Sequence, residues 1–479
     1  MKTIVYKISG LLVMVLLLSS CKKGFLDIVP KGKAVATTVS DYDQLMNNTS
    51  FYSLNSNNNY LIMGDDIGAE QARYQNTDLN TQRSFGWEDV IQTEGQDDVY
   101  TAVQLQNLYI CNKIINEVIS ITDGSELQRK RLQAEALATR AWINFDLINR
   151  YGKPYKAATA AQDPGFPIIT QANVNATNYI RNSVAEVYAA IIADLKTAIP
   201  NLPAKSVFVT RLSRPAATTL LGKVYLFMGQ YQDALPQFNS AFADLENDPS
   251  IASLYNYNDA FSETGAFRPF GYLGPDYPGS NVSKNQESIL LKTQYIYPNS
   301  NGVVMSPAVM SLYEPSDLRL NFYGRTRSDQ TAVPGELRVK SAAQFSHLGI
   351  ELSDLILMRA EVKARLNDLT GARADVQRLR ENRMPFADSA VPATIGSQTD
   401  LIRFIIDERQ REYAGEGQRW LDMRRLSVDP IFENQISRHF IYAADGETVT
   451  KTITLRPVRL TLRIPQTILE YNPEMRDNP

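Results

Sequence analysis

The residues in this chain best suited to chemistry are three glutamates in the stretch DERQREYAGEGQRWLDMRR. Glu408, Glu412 and Glu416 lie four apart on one helical face. Paired carboxyls at suitable separation can hydrolyse a glycosidic bond, one as acid and the other as base or nucleophile. The same stretch carries Arg409, Arg411, Arg419, Arg424 and Arg425. Each carboxylate therefore has cationic neighbours within three to four positions. Such neighbours lower a carboxyl pKa, which is the wrong direction for a general acid. The pattern favours a structural ion-pair network, with a surface glycosidase as the alternative.

Other reactive side chains are scarce. His347 and His439 are the only histidines. No second histidine or cysteine stands near either at metal-ligand spacing, so they read as core or surface residues, and no metal or cofactor is expected. GYLGPDYPG lacks both the Lys-Ser/Thr ending and the strand-to-helix setting of a phosphate loop. Cys111, inside the apolar pattern LYICNKII, reads as a buried small hydrophobe. With 49 Lys and Arg against 52 Asp and Glu, the net charge is −3, and that gives no electrostatic footprint for nucleic acid. What remains is binding. Sugar rings offer apolar C–H faces that stack on Trp or Tyr, while Asn, Asp and Arg bond the hydroxyls. Two regions hold such residues, Asp65 to Trp87 and the Tyr-rich stretch from Tyr255 to Tyr297.

Those residues need a frame to hold them. From Asp97 to about Asn247 the pattern is helical, broken by the Gly- and Pro-bearing passage from Gly152 to Pro167. In LQAEALATRAWINFDLINRYG, Leu137, Ala141, Phe145 and Ile148 form one apolar stripe with Arg140 and Asn144 off it, and Gly152 and Pro154 stop the helix. VAEVYAAIIADLKTAI is a further helix, closed by Pro200 and Pro203. In TTLLGKVYLFMGQYQDALPQFNSAF, Leu221, Gly222, Tyr225, Gly229, Tyr231, Ala234, Phe238 and Ala241 fall in the register of a tetratricopeptide repeat. Gly222 and Ala234 let two antiparallel helices approach, while Tyr225 and Phe238 fill the gap to the next pair. Pro236 departs from the pattern and is expected in the first turn of its helix. A second unit, LILMRAEVKARLNDLTGARADVQRLRENR, places Ala360, Ala372, Val376 and Leu379 similarly.

One such unit cannot bury its face alone, so about three or more must stack. From about Ser250 to Phe345 the texture changes to Tyr, Gly, Pro and Asn, too long for a connector and too aromatic for disorder. The expected fold is mostly α: a tetratricopeptide-like helical repeat scaffold over about 97–247 and 350–426, with an irregular, loop-rich, ligand-binding insert over about 250–345.

The first of the two cysteines, Cys21, follows Lys2, Lys7, an apolar run from Leu11 to Leu18, and two serines. That is a secretory leader over residues 1–20, too short for a membrane span of about 20 apolar residues. Leu18-Ser19-Ser20-Cys21 resembles the bacterial lipobox, whose cysteine becomes the lipidated first residue. Acyl chains contribute roughly 0.8 kcal/mol per buried methylene. Lipidation of Cys21 leaves Cys111 no partner, so no disulfide is expected.

Four stretches resemble the SusD/RagB-like lipoproteins of Bacteroidota: GFLDIVP after the cysteine, EALATRAWINFDLINRYGKPY, IIDERQREYAGEGQRWLDMRRL and the ending RIPQTILEYNPEMRDNP. The third is the most specific, with Glu408, Arg409, Glu412, Glu416, Gly417, Arg419, Asp422 and Arg424 in place. The resemblance implies a single SusD-like domain over 21–479, an α-α superhelix tethered by lipid to the outer membrane and facing the cell exterior. It implies a binding protein rather than an enzyme, one that acts as the lid of a SusC-like TonB-dependent transporter, holds oligosaccharide and delivers it. It also implies ligand contacts from loops before the first repeat, where Asp65, Arg73 and Trp87 correspond by position. Further contacts come from the segment between the repeats, where Tyr272, Tyr277 and Tyr295 correspond loosely. Peptide cargo suits the same composition. A helical-repeat protein adaptor is the remaining alternative, and it has no need of the Tyr/Pro/Gly insert.

Overall fold

Serine side chains start several of the long helices. Ser125, Ser183 and Ser397 each accept a hydrogen bond from the backbone N–H three residues on, and Gln128, Glu186 and Asp400 reach back to the cap. Each such cap contributes about 1 kcal/mol and sets where its helix begins. The computed structural model describes residues 36–479 apart from 55–59, 94, 97, 269, 272–273, 277–283, 296–301 and 342–344. The leader and Cys21 lie outside the described residues.

The scaffold is mostly α-helical. The helices are α1 Val99–Glu117, α2 Glu126–Tyr151, α3 Val184–Ala198, α4 Arg214–Phe227, α5 Tyr231–Asn247, α6 Leu352–Arg365, α7 Leu369–Arg380, α8 Gln398–Tyr413 and α9 Gln418–Leu426. Packing runs α1 on α2, α2 on α3, α3 on α4, α4 on α5, α5 on α6, and α6 on both α7 and α8. The α5–α6 contact joins the two repeat parts, and the chain between them loops out to one side. α4 and α5 form the expected repeat. A Cβ at Gly222 would come within 2.5 Å of the Phe238 ring, so only glycine permits that approach. In the second unit Ala360, Ala372, Val376 and Leu379 are all fully buried.

One expectation needs correction, that for Pro236, and α2 is sealed on more than its apolar stripe. Arg140 and Asn144 are buried, because α2 is packed by α1 on one side and α3 on another and keeps little face for water. Arg140 donates to both carboxylate oxygens of Asp194, at 2.7 and 2.8 Å, and to Asn112. Pro236 sits in the second turn of α5, not the first. It is exposed, as is Gln232 one turn earlier, so water can take the carbonyl that the missing N–H leaves unbonded.

Short strands from the insert join both ends of the chain in a four-stranded sheet of β1 Ile67–Glu70, β2 Val303–Met305, β3 Arg438–Tyr442 and β4 Val449–Thr454, in the order β4-β3-β1-β2. β3 runs parallel to β1, and the other two pairings are antiparallel. β1 and β2 are too short, and β3 and β4 too mixed in polarity, to announce themselves by alternation.

Buried ions weld the two repeat parts to each other. Lys223 of α4 and Arg409 of α8 both donate to Asp354 of α6, at 3.1 and 2.7 Å. Arg409 also donates to Asp422 of α9 at 3.0 Å. Removing one member of such a group would strand the others in a low dielectric.

Candidate functional site

The carboxylates that invited an enzymatic reading are held on every side. Glu408 accepts hydrogen bonds from Arg319 at 2.6 Å, Arg411 at 2.8 Å and Arg380 at 3.0 Å. Glu412 accepts from Arg383 at 2.7 Å and Arg319 at 2.9 Å, and Arg383 also donates to Glu287 of the insert at 2.8 Å. Burial alone would raise the Glu408 pKa, but Arg319, Arg411 and Arg380 outweigh it and hold the carboxyl at about 2. Burial likewise opposes ionisation of Glu412, and Arg383 and Arg319 overcome it, so this carboxyl also sits below its ordinary value. Neither carboxyl can serve as a general acid near neutrality.

Glu416 does not share their helical face. α8 ends at Tyr413, and the left-handed residues Gly415 and Gly417 turn the chain before α9 begins. Glu416 there pairs with Lys340. Among the described residues no three His, Cys, Asp or Glu side chains are placed to hold a metal ion. His347 is buried, and so is the other histidine, His439.

The segment from Asp65 to Trp87 is organised by long-range partners. Asp65 is largely covered: Arg419 of α9 donates to it at 2.6 Å and Ser437 at 2.7 Å. Burial pushes its pKa up, Arg419 pulls it further down, and the carboxyl stays ionised below its ordinary value. Its neighbour Asp66 has no guanidinium contact. Asp66 Oδ2 accepts from the Gly415 N–H at 2.7 Å while Oδ1 is buried without a hydrogen bond. Burial raises this carboxyl to about 6.

Arg73 lies at the surface. It follows β1 in the short helix Gln71–Tyr74 and donates to Asp329 at 2.8 Å and to Thr331 at 2.7 Å. Glu70 and Arg327 pair directly beneath it. A Cβ at Gly302, which has φ of +70°, would strike the Tyr74 backbone at 2.6 Å. Gly302 thus brings the insert's chain hard against Arg73, immediately after residues 296–301.

Trp87 faces inward. The helix Leu79–Phe85 ends with the Trp87 N–H bonded to the Ser84 carbonyl and the Glu88 N–H bonded to the Arg83 carbonyl. That is a Schellman turn, and its left-handed position, usually glycine, is Trp87 with φ of +47°. A bulky residue there costs on the order of 1–3 kcal/mol and persists only where its surroundings over-determine it. The indole N–H donates to the Met63 carbonyl at 3.0 Å, and the ring stacks on His439 at 3.8 Å between centroids. His439 stacks in turn on Phe85 at 4.2 Å, and Phe85 contacts Tyr74 at 5.1 Å. Both imidazole nitrogens of His439 bond backbone carbonyls, of Phe85 and Gly64, so this histidine is a structural part of the column. With 3% of its surface exposed, Trp87 offers no ring face for stacking a sugar.

The six expected ligand residues therefore separate. Arg73 is at the surface, whereas Asp65 and Trp87 are beneath it, tying the segment to α9 and to the sheet. Tyr272 and Tyr277 lie outside the described residues. Tyr295 ends the strand Thr293–Tyr295, paired with Ser53–Leu54 and Phe345–His347, and its side chain also lies outside them. Asp329 and Thr331 were not anticipated. They are more than 250 positions from Arg73, and no local pattern marks them.

This fold is shared. Residues 24–226 match a SusD-like family described as starch-binding and associating with the outer membrane, and residues 349–479 match the SusD family. The chain belongs to the SusD family. It is 24% identical over 434 residues to SusD-like protein P2 of Formosa agariphila, covering 80% of this chain and 81% of that one. A SusD superfamily protein from Bacteroides thetaiotaomicron superposes with a TM-score of 0.71 at 19% identity, over 92% of this chain and 100% of that one. A laminarin-binding SusD-like protein superposes at 0.63 and 19% identity, over 93% and 100%.

Proposed function

We propose that this protein is a nutrient-binding lipoprotein of the outer membrane that captures oligosaccharide and passes it, unaltered, to a SusC-like TonB-dependent transporter whose lid it forms. In this reading Cys21 carries the acyl chains once residues 1–20 are removed, and the anchor faces the cell exterior. The carrying observation is the half-open Arg73–Asp329–Thr331 cluster, which presents charged and hydroxyl groups to water beside the insert. By contrast, Glu408, Glu412 and Glu416, the carboxylates with an enzyme's spacing, are consumed in ion pairs. Arg73 and Asp329 bond sugar hydroxyls, Tyr272, Tyr277 and Tyr295 supply ring faces, and Asp65 and Trp87 hold the segment from below. A family described as starch-binding and a laminarin-binding structural neighbour support a glycan over a peptide.

The test is binding of laminarin, starch and casein peptides to the purified full chain, compared with Arg73→Ala. Glycan binding that falls at least tenfold in the variant, with no reducing ends released, is the expected result. Binding of peptides alone would change the cargo, and sustained release of sugar would overturn the reading. Recovery of the chain from outer membranes without any TonB-dependent transporter would remove the lid role.

A further inference from the structure

We propose that a cavity of about 600 Å³ between residues 87–98 and the C-terminal residues 459–477 is a second binding site, for a neutral, hydroxyl-rich ligand such as a stretch of oligosaccharide. The cavity lies against Trp87, at the opposite end of the Tyr74–Phe85–His439–Trp87 column from Arg73. Its volume falls within the range of small-molecule sites.

Its walls are built and pinned. The strained left-handed turn at Trp87 sends residues 88–93 along the C-terminal segment. Arg83 donates to the carbonyls of Ile91 and Gln92 from behind. Across the cavity Arg459 pairs with Asp89 at 3.1 Å, and within the C-terminal wall Arg463 pairs with Asp477 at 2.8 Å. Strain of the kind seen at Trp87 persists where the surroundings hold it in place, and it collects at sites that grip ligands.

The wall chemistry selects the ligand. The wall arginines are already matched, Arg150 to Asp146 and the other two to the partners above. Asp98 accepts from the Tyr151 hydroxyl. The remaining polar groups on the walls include amides, a hydroxyl and carboxylates: Gln92, Thr467, Glu88, and the pair Gln466 and Glu470, which share one long hydrogen bond of 3.4 Å at the surface. Acidic side chains on the walls outnumber basic ones five to three, which disfavours an anionic guest. Amides and carboxylates facing a cavity with few free cations suit hydroxyl groups, which can donate to the one and accept from the other. This ligand class follows from these walls and does not depend on what binds at Arg73.

The experiment is calorimetric titration of the purified full chain with maltohexaose, laminarihexaose and, as an anionic probe, hexagalacturonate. One neutral hexaose is expected to bind with two equivalents per chain. Arg73→Ala should leave the cavity equivalent in place. Gln92→Ala combined with Gln466→Ala should weaken that equivalent at least tenfold and leave the Arg73-dependent one unchanged. Thr467→Trp should do the same by filling space, and an unchanged melting temperature would show that each variant is folded. Hexagalacturonate should not occupy the cavity. A single equivalent, abolished by Arg73→Ala and indifferent to the cavity variants, overturns the second site and leaves the first standing. Equal binding of the anionic hexamer to the cavity overturns the assigned ligand class, and absence of binding by every probe overturns the cavity site and the glycan cargo of the first.

Discussion

Arg319 and Arg73 hold carboxylates at similar distances, 2.6 Å to Glu408 and 2.8 Å to Asp329, yet the two pairs do different work. The side chains of Arg319 and Glu408 are 3% and 0% exposed, those of Arg73 and Asp329 27% and 44%. In the first place leaving water is costly, so the charges come in a chain in which Glu408 meets three guanidiniums and Glu412 two. Arg319 and Glu287 come from the insert, Arg380 and Arg383 from α7 and the turn after it, and Glu408 and Glu412 from α8. The network fastens the insert to the repeats, and no member can be spared for chemistry. In the second place water already competes for both partners, so either can exchange its contact for another hydrogen-bonding group with little loss. Charged residues of the same kind therefore read as structure or as site according to burial.

The contrast can be broken most sharply from inside. Glu412→Ala leaves Arg383 and Arg319 buried with too few counter-charges and should cost about 3–5 kcal/mol in denaturant unfolding. If Glu412→Ala were as stable as the parent, the interior network would be no more structural than the surface pair. Trp87→Ala removes the end of the aromatic column and should also cost about 3–5 kcal/mol. Trp87→Gly should lose less than Trp87→Ala, because glycine tolerates the left-handed turn.

Acid separates the regions by sign. Glu408 titrates at about 2 folded against an ordinary 4.5, so between those values the unfolded chain binds more protons. Stability from this group is full above about pH 4.5 and falls toward pH 2, by on the order of 3 kcal/mol. Asp66, raised from 3.8 to about 6, acts in the opposite sense: its contribution is full below about 3.8 and is lost as pH rises through 6. Asp66→Asn should flatten stability between those values, as followed by thermal melts across pH. Gly222→Ala should cost about 1–3 kcal/mol through the Phe238 clash. Arg73→Ala should leave the melting temperature unmoved, its whole effect appearing in glycan affinity.

Much of the frame was legible in the chain. The repeat of α4 and α5 shows in small and aromatic residues at helical spacing, since packing two helices that closely leaves only glycine and alanine at the contact. Cys111, Ala360 and Ala372 could be placed in the core for the same reason. The sheet could not, because β1 and β2 are short, and their partners lie hundreds of residues away. The candidate site was only partly visible. Arg73 was named by position and does lie at the surface, while Asp329 and Thr331, to which it donates, carry no local mark. In SFGWED the glycine suggests where the helix stops, yet the left-handed residue is Trp87. Its indole must turn inward onto His439, and that demand overrides the local preference.

Taken alone, the amino-acid sequence determined the helical repeats, the arginine-rich network around α8 and the likeness to the SusD family. These are set by spacing within one or two turns of helix and by residue volume. Tertiary structure decided which ions are sealed and which meet water, where Glu416 departs from its neighbours, and that Trp87 faces the core while Arg73 faces solvent. Burial is a property of everything packed around a residue, and the elements packed here arrive from both ends and the middle of the chain.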